Sequence, residues 1–167
     1  MVNYKQFNMD NNSVFVTVST TDMNPILIDN VALLKTAIIK SKQNYNYDFL
    51  AGVILPDHFH MIIKPEPIKD VSKIVSNIKQ YFTHNLDSKY KLADKIVWQK
   101  GYEGSKIENP KDLRNFLDYI HYNPVKHDCA KTPKAWQYSS FKKFVMINMY
   151  DENWTCADDK IKNLDLG

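Results

Sequence analysis

Apolar residues alternate with others in "SVFVTVST", residues 13–20, so that Val14, Val16 and Val18 share one side of an extended backbone. The run is rich in β-branched residues, which predicts a strand. In "DNVALLKTAIIKSK", residues 29–42, the period changes. Apolar positions 31, 34 and 38, flanked by 33 and 37, recur at helical spacing, with Asp29 or Asn30 as the N-cap. "YDFLAGVIL", 47–55, reads as a second strand and Pro56-Asp57 as a turn. "HFHMIIK", 58–64, reads as a third strand that pairs back as a hairpin. "DVSKIVSNIKQYFTHNL", 70–86, restores the helical stripe through Val71, Ile74, Val75, Ile78, Phe82 and Leu86. A polar loop, 88–95, leads to "IVWQKGYEGSKI", 96–107, whose aromatic and β-branched residues are broken by glycines and predict a bent edge strand. "NPKDLRNFLDYIHYNP", 109–124, predicts a helix with Asn109 as cap, Pro110 at its first position and Pro124 stopping it near Asn123. From "AWQYSSFKKFV" onward the pattern fits a strand or a helix, packed through Trp136 and Phe141.

The order β-α-β-β-α-β followed by a helix is the ferredoxin-like, α+β pattern: an antiparallel sheet with helices packed on one face, plus a C-terminal helix that carries a candidate tyrosine. No repeat or linker divides the chain, so one domain over 1–167 is expected, with its core about 13–147 and a tail 148–167.

Composition narrows the class. The net charge of +3 and pI near 8.7 permit a nucleic-acid partner without demanding one. Cys129 and Cys156 are far apart and fit no metal or redox spacing, so a reducing, cytoplasmic setting is the expectation. The start lacks the apolar core of a signal peptide, and no apolar run approaches the length of a membrane span. Four glycines and no Walker-type run exclude a P-loop.

The candidate chemistry lies in "LPDHFHMIIKP", 55–65. On a strand, His58 and His60 share one face while Phe59 packs into the other. Two imidazoles on one face can chelate a divalent ion, or each can simply hydrogen-bond a neighbour. On the 109–124 helix, Tyr119 and Asn123 are four apart and lie on one face, with Leu113, Phe116, Leu117 and Ile120 as the packing stripe. Asn123 is a candidate third ligand for Mg²⁺ or Mn²⁺, and Tyr119 a candidate nucleophile. A tyrosine that caps the core by its ring is the competing reading.

"LPDHFHMIIKP", "IKQYFTHNL", "VWQKGY" and "LDYIHYNPVKH", in that order, resemble the single-tyrosine HUH transposases, and most nearly their REP-associated tyrosine branch in bacteria. The resemblance implies that His58 and His60 are metal ligands, that Asn123 completes the site and that Tyr119 is the nucleophile. It further implies cleavage of single-stranded or hairpin DNA through a 5′-phosphotyrosine, by a cytoplasmic, nucleoid-associated monomer or homodimer. Where relatives carry an acidic residue followed by histidine, this chain has Glu103-Gly104, which puts its rate in question. Candidate DNA contacts are Lys73 and Lys79, with Lys69 nearby, then Lys95, Lys100, Arg114 and Lys126. Trp98 and Tyr102 are candidate platforms for unpaired bases. The rival readings are a binding module without chemistry, a hydrolase in which the histidines activate water, and a domesticated transposase serving host DNA processing.

Overall fold

The computed structural model describes residues 12–91 and 96–164. Four strands, β1 (Val14–Ser19), β2 (Tyr47–Ile54), β3 (His58–Pro65) and β4 (Glu103–Lys106), form one antiparallel sheet in the order β2-β3-β1-β4. The helices α1 (Val31–Asn44) and α2 (Val71–Asn85) make the two crossovers. They cover the face that holds Val14, Val16, Val18, Phe59, Met61 and Ile63, burying Leu34, Ala37, Ile74, Val75, Ile78 and Phe82 against it. The ferredoxin-like arrangement stands.

The third helix, α3 (Pro110–Lys126), lies on the opposite face. There Leu113, Leu117, Tyr119 and Ile120 pack with Phe15, Ala51, Val53 and Ile62 into a second core. The sheet is therefore covered on both sides, and its inner strands are apolar in both directions apart from one polar patch. The tyrosine-bearing helix is not terminal: α4 (Phe141–Met146) and α5 (Asp159–Lys162) follow it. Nor does packing stop at residue 147, because Met149, Cys156 and Ile161 are buried in the second core.

Two boundaries differ from the sequence expectation for clear reasons. Asn109 caps α3 through its Oδ1, which accepts from the Asp112 amide at 3.0 Å. Pro124, however, does not end the helix, which runs to Lys126. Proline removes one donor, and so near the C-terminus that loss is small. Just past the helix end, His127 N still reaches Asn123 O at 3.0 Å, and Pro124 O accepts from Cys129 N at 2.8 Å. The expected strand over 96–107 shrinks to Glu103–Lys106. Upstream of it, Trp98 makes an isolated bridge to Thr20, and Gly101 turns the chain at φ 73°.

The far edge of the sheet is closed by the segment the sequence left open. Ile54 N donates to Tyr138 O and Ser140 N to Gly52 O, each at 2.9 Å, so residues 138–140 pair along β2. Trp136 Nε1 donates to Ile54 O at 2.9 Å.

A buried donor set under the tyrosine helix

Alternation along β3 puts Phe59 into the first core and turns His58 and His60 towards α3. All three candidate ligands are buried: His58 and His60 are 1% exposed and Asn123 0%. The two imidazoles meet edge to face, with centroids 4.9 Å apart, so they converge on one spot rather than diverge.

The Nδ1 atoms are engaged. His58 Nδ1 lies 2.6 Å from Asp57 Oδ1, and His60 Nδ1 lies 2.8 Å from Thr17 Oγ1 on the neighbouring strand, where the register pairs Thr17 with His60. The Nε2 atoms of both histidines, and both amide atoms of Asn123, are buried without a hydrogen-bond partner. Asn123 sits close enough to favour the charged form of His60 slightly, yet makes no well-formed bond to it. Burial, reinforced by the neighbouring His58, His127 and Lys126 charges, holds His60 well below the usual imidazole range, so it is neutral at pH 7. Unpaired polar atoms in a dry site cost roughly 1–3 kcal/mol each. Two imidazole nitrogens and an amide oxygen are a donor set that fits a divalent ion and leaves positions open for substrate oxygens. Among the described residues no group of three His, Cys, Asp or Glu side chains is placed to hold a metal, so a third ligand for an ion at the two histidines would have to be of another type, such as the Asn123 amide beside His60.

Tyr119 completes the arrangement. Its ring centroid is 5.3 Å from that of His60 and 5.9 Å from that of Phe15, and the residue is 1% exposed. Because α3 continues past Pro124, Lys126 falls seven residues, or about two turns, beyond Tyr119 on the same face. Its Nζ lies 5.2 Å from the Tyr119 ring centroid and donates to Leu164 O. Tyr122 packs instead at the margin of the second core.

The candidate DNA contacts divide. Lys73 is exposed and paired with Asp70 at 2.9 Å, and Lys100 and Arg114 are exposed. Lys79 is committed to the protein: its ammonium donates to the carbonyls of Gln99, at 2.8 Å, and Gly101, and so pins the 99–101 turn. Trp98 is not a stacking platform. It is 6% exposed, packs edge-on to Phe59 and Phe82, and donates Nε1 to Thr83 Oγ1 at 3.1 Å. An indole that finds both an apolar bed and an acceptor settles inside. Tyr102 is half-buried with its hydroxyl 3.1 Å from Ser72 Oγ. Lys95 lies outside the described residues.

Gly104 also takes a different meaning. It pairs with Val16, whose side chain belongs to the α1/α2 face, whereas Glu103 pairs with Thr17 on the histidine face. A Cβ at 104 would meet the Tyr102 ring at 3.0 Å, on the side of the sheet away from His58 and His60. A glycine there removes nothing from the site.

Three contributors escaped the sequence reading. In the sequence Asp57 reads only as a turn residue and Thr17 only as a strand residue. The third is His127, whose ring centroid is 4.9 Å from that of His58. A carboxylate directly before a histidine was the one signal available.

Known proteins resemble this chain in sequence and in fold. The sequence model of the family described as "Transposase IS200 like" matches residues 11–123. A putative REP-associated tyrosine transposase of Haemophilus influenzae is 32% identical, with 97% of this chain and 98% of the relative covered. The REP-associated tyrosine transposase of Escherichia coli K12 is 33% identical over 92% and 91% of the two chains. The solved structure of a REP-associated tyrosine transposase bound to a REP hairpin superposes with a TM-score of 0.82 at 31% identity, covering 100% of this chain and 97% of that one. A putative transposase of Deinococcus radiodurans shares the fold, with a TM-score of 0.51 at 17% identity over 68% and 92%.

Proposed function

This chain belongs to the IS200-like transposase family, in its REP-associated tyrosine branch, and from that membership we propose that it breaks and rejoins single strands of hairpin-forming DNA through a covalent tyrosine intermediate. One observation carries the reading: unpaired donors of His58, His60 and Asn123 converge in a buried site beside the Tyr119 ring. A relative of similar structure is bound to a REP hairpin, which supports the substrate class.

In this reading Tyr119 Oη attacks the scissile phosphorus in line. The bond to the 3′ oxygen breaks, the phenol gives up its proton, and the leaving oxygen takes one up. The protein keeps the 5′ phosphate, and attack on that ester by a second 3′ hydroxyl joins new strands. The phosphotyrosine retains the bond energy, so no nucleotide cofactor is required. Mg²⁺ or Mn²⁺ held by His58, His60 and Asn123 would polarise a non-bridging phosphate oxygen. Lys126 brings positive charge to the place where phosphate charge develops. Because Tyr119 is 1% exposed, its hydroxyl has to be uncovered first, and Lys126 has to leave the Leu164 carbonyl for the phosphate.

The test is a hairpin oligonucleotide labelled at its 3′ end, incubated with Mn²⁺ and run on a denaturing gel. The label is expected to migrate with the protein, and to run free in Tyr119→Phe. A labelled fragment ending in a free 5′ phosphate, with no protein adduct, would instead establish a hydrolase.

A further inference from the structure

We propose that Asp57 and Thr17 are positioning residues for the metal site: Asp57 fixes His58 in the tautomer that can bind a metal, and Thr17 fixes the orientation of His60. This rests on the metal reading above. A neutral imidazole carries one hydrogen, on either nitrogen, and only the other nitrogen can ligate. Asp57 Oδ1 is 2.6 Å from His58 Nδ1. An ionised carboxylate only accepts, so that contact places the hydrogen on Nδ1 of a neutral His58 and leaves its lone pair on Nε2, which is buried and unpaired as the His60 Nε2 and the Asn123 amide are, with the two rings 4.9 Å apart.

Thr17 acts differently. Its Oγ1 is 2.8 Å from His60 Nδ1. A hydroxyl can donate or accept, so it holds the ring plane without dictating the tautomer. Both supports are themselves held. The Asp57 carbonyl accepts from Thr20 N at 2.8 Å and from Thr20 Oγ1 at 2.9 Å, and the Pro56 carbonyl from Leu27 N at 2.8 Å. The turn carrying the carboxylate is therefore fixed to the end of β1. Thr17 sits mid-strand with β3 on one side and β4 on the other.

The experiment uses the full chain, with DNA added only for the affinity measurement. Mn²⁺ binding is followed by electron paramagnetic resonance of the free ion, histidine tautomers by long-range ¹H–¹⁵N correlation, and hairpin affinity by anisotropy. Wild-type protein should bind Mn²⁺ with His58 protonated at Nδ1. Asp57→Ala should weaken Mn²⁺ binding by about 10- to 100-fold, a typical cost of losing an outer partner, and give His58 mixed tautomers. The isosteric Asp57→Asn, which can still accept through its amide oxygen, should lose less. It carries the test by the same criteria if the alanine variant does not fold. Thr17→Val should weaken Mn²⁺ binding by a smaller factor, and Thr17→Ser should restore it. Hairpin affinity should not move in any of them. Wild-type Mn²⁺ affinity retained within twofold by the Asp57 variants and by Thr17→Val overturns the proposal alone. A wild-type protein that takes up no Mn²⁺ overturns it together with the metal reading.

Discussion

Tyr119 and Asn123 stand one turn apart on α3, and that spacing decides what each side chain can do: both face His60, one with a ring and one with an amide. Tyr119→Phe keeps the ring and its packing, so the melting temperature should shift little while the DNA adduct disappears. His58→Ala should abolish Mn²⁺ binding and leave the circular dichroism spectrum intact, because α3 and the sheet are held by the apolar residues around the site. His121, on the same helix, is a different kind of buried histidine. Its Nε2 is 2.9 Å from Ser140 Oγ amid Phe141, Phe144 and Tyr150, and burial pushes its pKa down to about 3. Unfolded, it titrates near 6.5. A folded value below the unfolded one means that its contribution is present above about pH 6.5 and is lost as pH falls towards 3, by up to about 1.4 kcal/mol per pH unit. Urea titrations at pH 7 and pH 5 should show this loss, and His121→Gln should flatten it; equal slopes in both proteins would contradict the assignment. Single residues were legible where alternation alone places them, as with His58, Phe59 and His60. Asp57 and Thr17 were not, because their contacts depend on a register and a turn that no local pattern encodes.

At the scale of elements, the tyrosine helix owes its start to Asn109 and its reach to the turn that survives Pro124. The cap, the first-turn proline and the apolar stripe were all readable; the survival of the helix through Lys126 was not, since it depends on carbonyls paired downstream. Asn109→Ala should cost about 1 kcal/mol in denaturant unfolding. The 96–107 segment shows the opposite limit. An aromatic between polar residues reads the same whether it faces DNA or the core, and Trp98 faces the core. Trp98→Ala should therefore cost about 3–5 kcal/mol of stability, as large-to-small core changes do. A stable variant with weakened DNA binding would restore the stacking role. Gly104→His should not raise the cleavage rate, because position 104 is on the α2 side of the sheet. The 136–161 region has no period to read; Phe141, Tyr150 and Trp154 pack on one another, with Phe141 and Tyr150 also against His121 of α3, while Trp136 bonds to Ile54 on β2.

For the whole molecule, the element order was enough to give the sheet topology, and the two-sided burial of the sheet followed only when α3 was placed. Among the described residues no helix is long and apolar enough to cross a membrane. Three exposed cations among the candidate DNA contacts lie on different elements, with Lys73 on α2, Lys100 before β4 and Arg114 on α3. Charge-reversal at Lys100 or Arg114 should weaken hairpin binding and lower the steepness of its salt dependence by about one phosphate contact each. Affinity equal for a hairpin and a plain duplex at matched salt would contradict the substrate class. The central claim is that the buried donor set serves Tyr119 and no other tyrosine. It is tested most directly by trapping the protein on hairpin DNA with Mn²⁺, digesting both partners and locating the residual phosphonucleotide by tandem mass spectrometry. The account predicts it on Tyr119, within the peptide from Asn115 to Lys126; attachment at Tyr122 or Tyr102, or none with any hairpin tried, would contradict it.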